Sequence, residues 1–255
     1  MIQTHTNKSA SNYTYKNAVE TNAGPMYKIK LKEVIELGHN TRSYNFEKPK
    51  DLSWSEGAHT HLAHEIFMVD GHIDKGLVRH MSINTLPEEG YIGVTTRVPG
   101  SMSKYKKFMD DMVPGKEMFI FKTQNHMPLR REDKNIVLIS MGVGISTMRP
   151  YIMRYLDDSR GIKNMTNINV DRGSFVYKDE LEGIDQPGFQ NIYTDSRTGL
   201  FRAVDASVHL TDSLYYLVGS DAFLSEVSRH LLMRGIHKSS IMIDKHVEKR
   251  EIFNL

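Results

Sequence analysis

Asn135–Leu156 reads NIVLISMGVGISTMRPYIMRYL. Ile136, Val137, Leu138 and Ile139 form an unbroken apolar run, with Met141 beyond Ser140, which is the pattern of a parallel strand buried on both faces. Gly142 and Gly144 then open a tight turn, and Ser146–Leu156 continues with the apolar spacing of an amphipathic helix. Strand, glycine turn and helix make a cradle for phosphate, because glycines admit close backbone approach and the helix start offers free N–H groups. A second unit of this kind spans Tyr215–Leu232, where Tyr216-Leu217-Val218 runs into Gly219-Ser220-Asp221. Ligands of open α/β sheets sit beyond the carboxyl ends of the strands, so two glycine turns at that edge would line one crevice.

Working outward, the chain alternates strand and helix after a charged, polar stretch at Pro128–Lys134. Strands are predicted at 136–141, 166–171, 189–193, 214–218 and 240–243, and helices at 146–158, near 177–182, near 202–208 and at 221–234. That alternation implies a parallel sheet with helices on both faces. Upstream the pattern differs. Short strands are predicted at 27–31, 43–46, 59–62, 65–68, 79–83, 91–97 and 118–121, and Glu56-Gly57, Asp70-Gly71, Glu89-Gly90 and Pro114-Gly115 supply turns between them. A short helix over 103–112 interrupts them. This reads as a small antiparallel barrel. The expected organisation is a polar mobile tail at 1–24, a β-barrel domain at 25–130 and an α/β domain at 131–255.

Composition narrows the function classes. With 33 basic and 31 acidic residues the net charge is +2, which points to neither nucleic acid nor an acidic membrane. The chain has no cysteine, which excludes disulfides, thiol catalysis, cysteine-ligated zinc and cysteine-bound iron–sulfur clusters. No apolar run approaches the ~20 residues of a membrane span. The N-terminus lacks the apolar core of a signal peptide, and a cytoplasmic location is expected.

Several short motifs carry chemistry. In Arg79-His80-Met81-Ser82-Ile83, strand alternation puts Arg79 and Met81 on one side and His80 and Ser82 on the other. An arginine there suits a phosphate, since its fork of donors is always charged. Gly100-Ser101-Met102-Ser103 precedes the predicted helix and offers backbone N–H groups and hydroxyls. Ser196-Arg197 follows a predicted strand and pairs a hydroxyl with a guanidinium. His59, His61 and His64 lie close together, and His59 and His61 share a strand face, a spacing compatible with binding a metal or haem.

In this order the motifs resemble those of the ferredoxin–NADP⁺ reductase superfamily of flavin oxidoreductases. Arg79-His80-Met81-Ser82 resembles the family's Arg-x-Tyr/Phe-Ser/Thr flavin motif, and Gly100–Ser103 its Gly-x-x-Ser phosphate loop. Ile139–Thr147 resembles its nicotinamide loop, and Val218-Gly219-Ser220-Asp221 its Cys/Val-Gly-Pro motif. Glu56-Gly57-Ala58-His59 is similar to the turn that enters its third barrel strand. The resemblance implies a flavin-binding barrel and a nicotinamide nucleotide-binding α/β domain. It implies that Arg79, His80, Met81, Ser82, Ile83, Thr96, Gly100, Met102 and Ser103 meet the flavin, with Arg79 on a phosphate and Ser82 near flavin N5. Gly142, Gly144, Ile145, Ser146, Gly219, Ser220 and Asp221 would receive the nicotinamide nucleotide. Ser196-Arg197 resembles the pair that grips the 2′-phosphate of NADPH. Asp244 and His246 stand where relatives carry a glutamate and an aromatic residue. They are candidates for a proton donor and a ring cover, and with Ser82 they make the expected catalytic set. Met81 replaces the usual aromatic residue, and Thr147 and Ser220 replace prolines.

The expected activity is therefore an NAD(P)H-dependent flavoprotein reductase that passes hydride to a flavin and electrons onward. FAD is favoured with FMN as alternative, and NADPH with NADH as alternative. The acceptor stays open among a ferric chelate or haem, free flavin, a quinone and a redox protein. No metal site, nucleic-acid partner or membrane span is part of this reading. The alternative is a non-enzymatic carrier of haem, another tetrapyrrole or a metal through His59, His61 and His64.

Overall fold

The computed structural model describes residues 18–255 apart from 22–23, 70–71, 99–102 and 211. Its first half is an antiparallel sheet curled into a nearly closed barrel. The strands are β1 (Ala18–Thr21), β2 (Gly24–Glu36), β3 (Thr41–Glu47), β4 (His59–His64), β7 (Val78–Ser82), β8 (Tyr91–Arg97) and β9 (Glu117–Gln124). A two-stranded ribbon, β5 (Met68–Val69) with β6 (His72–Ile73), stands apart. The barrel order is β7-β4-β9-β2-β3-β8, with β1 added along β2. β2 serves two neighbours. Its first part pairs with β9, its second part with β3, and the register shifts between Leu31 and Glu33. Such an irregularity bends a strand and lets one sheet turn the corner of a barrel. The seam between β7 and β8 is bridged where the Asn84 N–H donates to the Gly93 carbonyl at 2.9 Å.

Alternation fills this barrel. Tyr27, Ile29 and Leu31 of β2 and Tyr44 and Phe46 of β3 point inward against Leu62, Ile92, Val94 and Ile120. Helix α1 (Lys104–Asp110) plugs one end with Tyr105 and Met109. Tyr44 donates its hydroxyl proton to the Met109 carbonyl at 2.6 Å, so its buried polar end is satisfied.

The second half is a five-stranded parallel sheet: β10 (Lys134–Met141), β11 (Ile162–Val170), β12 (Phe189–Thr194), β13 (Ser213–Val218) and β14 (Ile241–Ile243), in the order β12-β11-β10-β13-β14. The helices are α2 (Ile145–Asp157), α3 (Lys178–Leu181), α4 (Arg197–Val208) and α5 (Asp221–Met233). The apolar run of β10 is explained by two cores. Ile136 and Leu138 pack with α2 residues Met148, Tyr151 and Ile152, while Val137 and Ile139 pack on the opposite face with Leu200, Val204 and Phe223. The strand order reverses direction between β10 and β13, and a crevice opens outside their carboxyl ends.

Three local expectations change. Residues 18–21, expected within the tail, form β1 against Gly24–Tyr27. The strand predicted at 65–68 is a turn, closed by the Phe67 N–H on the His64 carbonyl at 3.0 Å, with only Met68 continuing into β5. Helix α4 starts at Arg197 rather than near 202, because the Ser196 hydroxyl accepts from the Gly199 N–H at 3.1 Å and caps it. Among the described residues no helix is long and apolar enough to cross a membrane.

Candidate functional site

A cleft of about 760 Å³ runs between β7 and β8 of the barrel and the carboxyl edge of β10, β11 and β13. His80, Met81 and Ser82 form its barrel wall, and Gly142, Gly144 and Gly219 lie on the opposite wall. Two stretches some sixty residues apart in sequence are thus brought face to face, and Thr147 donates to the Ser82 hydroxyl across the junction at 2.9 Å.

Strand alternation sets the barrel wall. Met81 packs against the barrel core, and the Arg79 guanidinium lies 5.3 Å above the Tyr105 ring. Arg79 donates to the Val78 carbonyl at 2.7 Å and the Lys75 carbonyl at 3.1 Å. Lys106 of α1 donates to the Arg97 carbonyl at 2.5 Å and to the Thr96 hydroxyl. Burial, and then the charge of Arg79, push the Lys106 ammonium below its ordinary pKa. Neither cation has a carboxylate partner among the described residues. Two mutually repelling cations without a counter-ion are the chemistry of a phosphate site, so the residues present fit a phosphate-bearing cofactor. Ser103 caps α1, its hydroxyl accepting from the Lys106 N–H at 3.2 Å. Gly100 and Met102, expected in the same loop, lie outside the described residues.

On the other wall β10 ends in a 3-10 turn, Gly142–Gly144, that leads directly into α2. Gly142 has φ +58°, and a Cβ there would stand 3.1 Å from an Arg97 guanidinium nitrogen. A Cβ on Gly144 would stand 2.9 Å from the Val218 carbonyl oxygen. The first glycine keeps the mouth of the cleft open, and the second lets the turn close on β13. Arg97 and Asp171 form an ion pair of 2.7 Å across the cleft, from barrel to parallel sheet. Arg172 lines the same end. The motif reading missed this pair, although Asp171 directly follows β11 and the rule of strand carboxyl ends points to it. Arg197 also lines the cleft and is paired with Glu226 of α5.

Four of the expected residues do not line the cleft. Ile83 is fully buried in the barrel core, and its N–H is spent on the Ala58 carbonyl at 2.8 Å. Ile145 is fully buried beneath the sheet, and its N–H donates within the glycine turn. Asp221 turns outward to Lys245 at 2.7 Å. Ser196 uses its hydroxyl to cap α4 and does not line the cleft. Thr96, Ser146 and Ser220 do line it.

Behind His80 stands a stack of imidazoles. The β4–β7 register sets His61 opposite His80 and His59 opposite Ser82, with all four side chains on one face. Ring centroids are 4.4 Å apart for His59 and His80, 4.5 Å for His61 and His80, 4.5 Å for His59 and His126, and 5.5 Å for His126 and His246. Asp244 is largely buried beside them, its carboxylate 3.8 Å from His59 Nδ1. Burial foremost, then the neighbouring imidazoles, lower the His59 pKa to about 4; burial, His61, His126 and Lys249 lower that of His80 to about 4. Burial raises the Asp244 carboxyl above its ordinary value. His64, expected with His59 and His61, stacks instead on Phe108 at 3.8 Å. Among the described residues no three histidine or carboxylate side chains converge as metal ligands.

No protein-family model matches the chain, and no curated protein matches it by sequence. Solved structures do match its fold. A ferredoxin NADP⁺ reductase from Neisseria gonorrhoeae with bound FAD and NADP is 12% identical, with 86% of this chain and 98% of that chain covered and a TM-score of 0.73. The ferredoxin reductase of carbazole 1,9a-dioxygenase is 18% identical over 87% of this chain and 70% of that one, with a TM-score of 0.70. The CS-b5R domains of human Ncb5or in the NAD⁺ form are 15% identical over 86% and 69%, with a TM-score of 0.69. An antiparallel barrel joined to a five-stranded parallel sheet, with one cleft between them, is the fold of the ferredoxin–NADP⁺ reductase superfamily, and this chain has it.

Proposed function

We propose that the chain is an NAD(P)H-dependent flavoprotein reductase. The observation that carries this reading is the cleft itself: a glycine turn at the strand-order switch faces barrel strand β7, whose Ser82 is bonded to Thr147 across it. Arg79 of the same strand and Lys106 of α1, beside this wall, have no carboxylate partner among the described residues. Residues 25–130 form the flavin unit and residues 131–255 the nucleotide unit. Arg79 and Lys106 would hold a flavin phosphate beside Ser103, and Ser82, fixed by Thr147, would meet the reactive edge of the ring. Gly142, Gly144, Gly219 and Ser220 leave room for the nicotinamide nucleotide. FAD, when bound, accepts a hydride and releases electrons singly or in pairs. The fold supports this by positioning, since the reacting atoms must come within ~3–3.5 Å. The neighbours described above with bound FAD and NADP, or in an NAD⁺ form, support the same cofactor classes.

NADPH is the proposed nucleotide and NADH its competitor. Arg197, exposed at the rim of the cleft, suits a 2′-phosphate, which would compete with Glu226 for its guanidinium. The test is an absorbance spectrum of protein supplied with FAD or FMN, taken before and after anaerobic NADPH and then NADH. Flavin bands near ~450 nm that bleach support the reductase, and the faster nucleotide names the donor. Failure to retain either flavin refutes it.

A further inference from the structure

Arg197 opens α4 directly after the edge strand β12, and Glu226 lies on α5. Both line the cleft, and their side chains form an ion pair between the two helices. The Arg197 side chain is 73% exposed and that of Glu226 23%. A pair so open to water is weakly held, because each partner regains hydration when it lets go. Arg229 stands three residues after Glu226 on α5, a spacing that brings two side chains together on one face of a helix. Arg197, Glu226 and Arg229 line the same two hollows adjoining the cleft. Arg229 is exposed, stands outside the cleft wall and has no carboxylate partner among the described residues. The donors that follow it are engaged elsewhere: His230 and Arg234 meet Asp205 of α4 at 2.7 and 2.8 Å. Glu226 thus stands between two guanidiniums, one facing the cleft and one outside it.

We propose that Glu226 sets the choice between NADPH and NADH, by exchanging Arg197 for Arg229 when a 2′-phosphate arrives. The inference rests on the reductase reading above, with Arg197 as the partner of that phosphate. A phosphate monoester carries nearly two negative charges and offers a guanidinium two oxygens at once, so it displaces a single carboxylate. Displacement alone would leave Glu226 beside the phosphate, a like charge at close range. Arg229 gives that carboxylate a second partner on its own helix, away from the cleft, and every charge remains paired. NADH has a hydroxyl in this position, which displaces nothing, and Glu226 stays on Arg197. The penalty on NADPH therefore comes from Glu226, and its relief from Arg229, which touches no nucleotide. Arg229 is a positioning residue that acts through Glu226.

The test is calorimetric titration of flavin-loaded, full-length protein with NADPH and with NADH, read as the ratio of the two affinities. Glu226→Gln keeps the size of the side chain and removes its charge, and should shift the ratio toward NADPH by about fivefold. Arg229→Gln should shift it toward NADH by about threefold. In protein that already carries Glu226→Gln, the Arg229→Gln change should have no effect, because the carboxylate it serves is gone. Binding of NADH by each variant reports that its fold and cleft are intact. A ratio unmoved by Glu226→Gln overturns the proposal, and so do equal gains for both nucleotides, which a general negative charge would give. An Arg229→Gln effect that is absent, or that persists undiminished without Glu226, overturns it as well. If neither nucleotide binds the wild-type protein or bleaches its flavin, the reductase reading falls and the exchange with it. If both bind and bleach while the ratio stays fixed, only the assignment of Glu226 fails.

Discussion

Gly142 and Gly144 stand two residues apart in one turn, yet a methyl group at each would meet different obstacles. At Gly144 the obstacle is the Val218 backbone oxygen, 2.9 Å from the new carbon, which cannot move without dislodging β13. Gly144→Ala should cost about 1–3 kcal/mol in urea titration. At Gly142 the obstacle is the tip of the Arg97 side chain, which can swing away, leaving the strain of φ +58°. Gly142→Ala should cost about 1 kcal/mol and, by displacing Arg97, weaken nicotinamide nucleotide binding in calorimetric titration. Ser82→Ala removes the acceptor of the nearly buried Thr147 hydroxyl. It should cost about 1 kcal/mol and slow flavin bleaching under NAD(P)H by about tenfold or more. A stability loss without slower bleaching would make Ser82 structural only. Both glycines and Ser82 were legible as motif positions. The different duties of the glycines were not, because Val218 and Arg97 lie far from them in sequence.

At the scale of elements, β4 and β7 were read correctly as strands, and their alternation put His80 and Ser82 on one face. Their register was invisible, and it is the register that sets His61 against His80. The consequence is a dependence on acid. Below pH 6.5 the unfolded chain protonates His59 while the folded chain keeps it neutral until about pH 4. Stability from this group is therefore complete above pH 6.5, falls between pH 6.5 and 4, and levels off below. The loss from His59 should reach about 3 kcal/mol by pH 4, with His80 acting in the same direction. Urea midpoints at pH 7.5 and 4.5 measure it, and His59→Phe should flatten the difference; an unchanged slope would refute the assignment. Element ends were less legible than element types. The helix expected near 202–208 begins at Arg197, where the Ser196 hydroxyl caps the Gly199 N–H.

For the whole molecule, the joint between barrel and parallel sheet rests on Arg149. This nearly buried guanidinium meets Glu180 at 2.6 Å, Glu89 at 2.9 Å and the Asn84 carbonyl at 2.9 Å. Tyr177 reinforces it, bonded to Asn84 at 2.6 Å and Thr95 at 2.5 Å. Arg149→Met would leave two carboxylates and a carbonyl short of a partner, a cost of about 2–3 kcal/mol. It should also separate the unfolding of the two halves in calorimetry; a single transition with an unchanged midpoint would show that the joint does not depend on it. The order and type of most elements, the barrel and parallel-sheet architecture and the two glycine turns follow from local sequence, the turn at 64–67 and β1 being the exceptions. Apolar period and turn stereochemistry are local properties, readable within a few residues. Only the tertiary structure decided the Arg97–Asp171 bridge, the capture of Arg197 by Glu226, the Arg149 joint and the histidine stack. His59, His80, His126 and His246 are scattered along the chain, and strand register and chain closure, rather than spacing, bring their rings into contact.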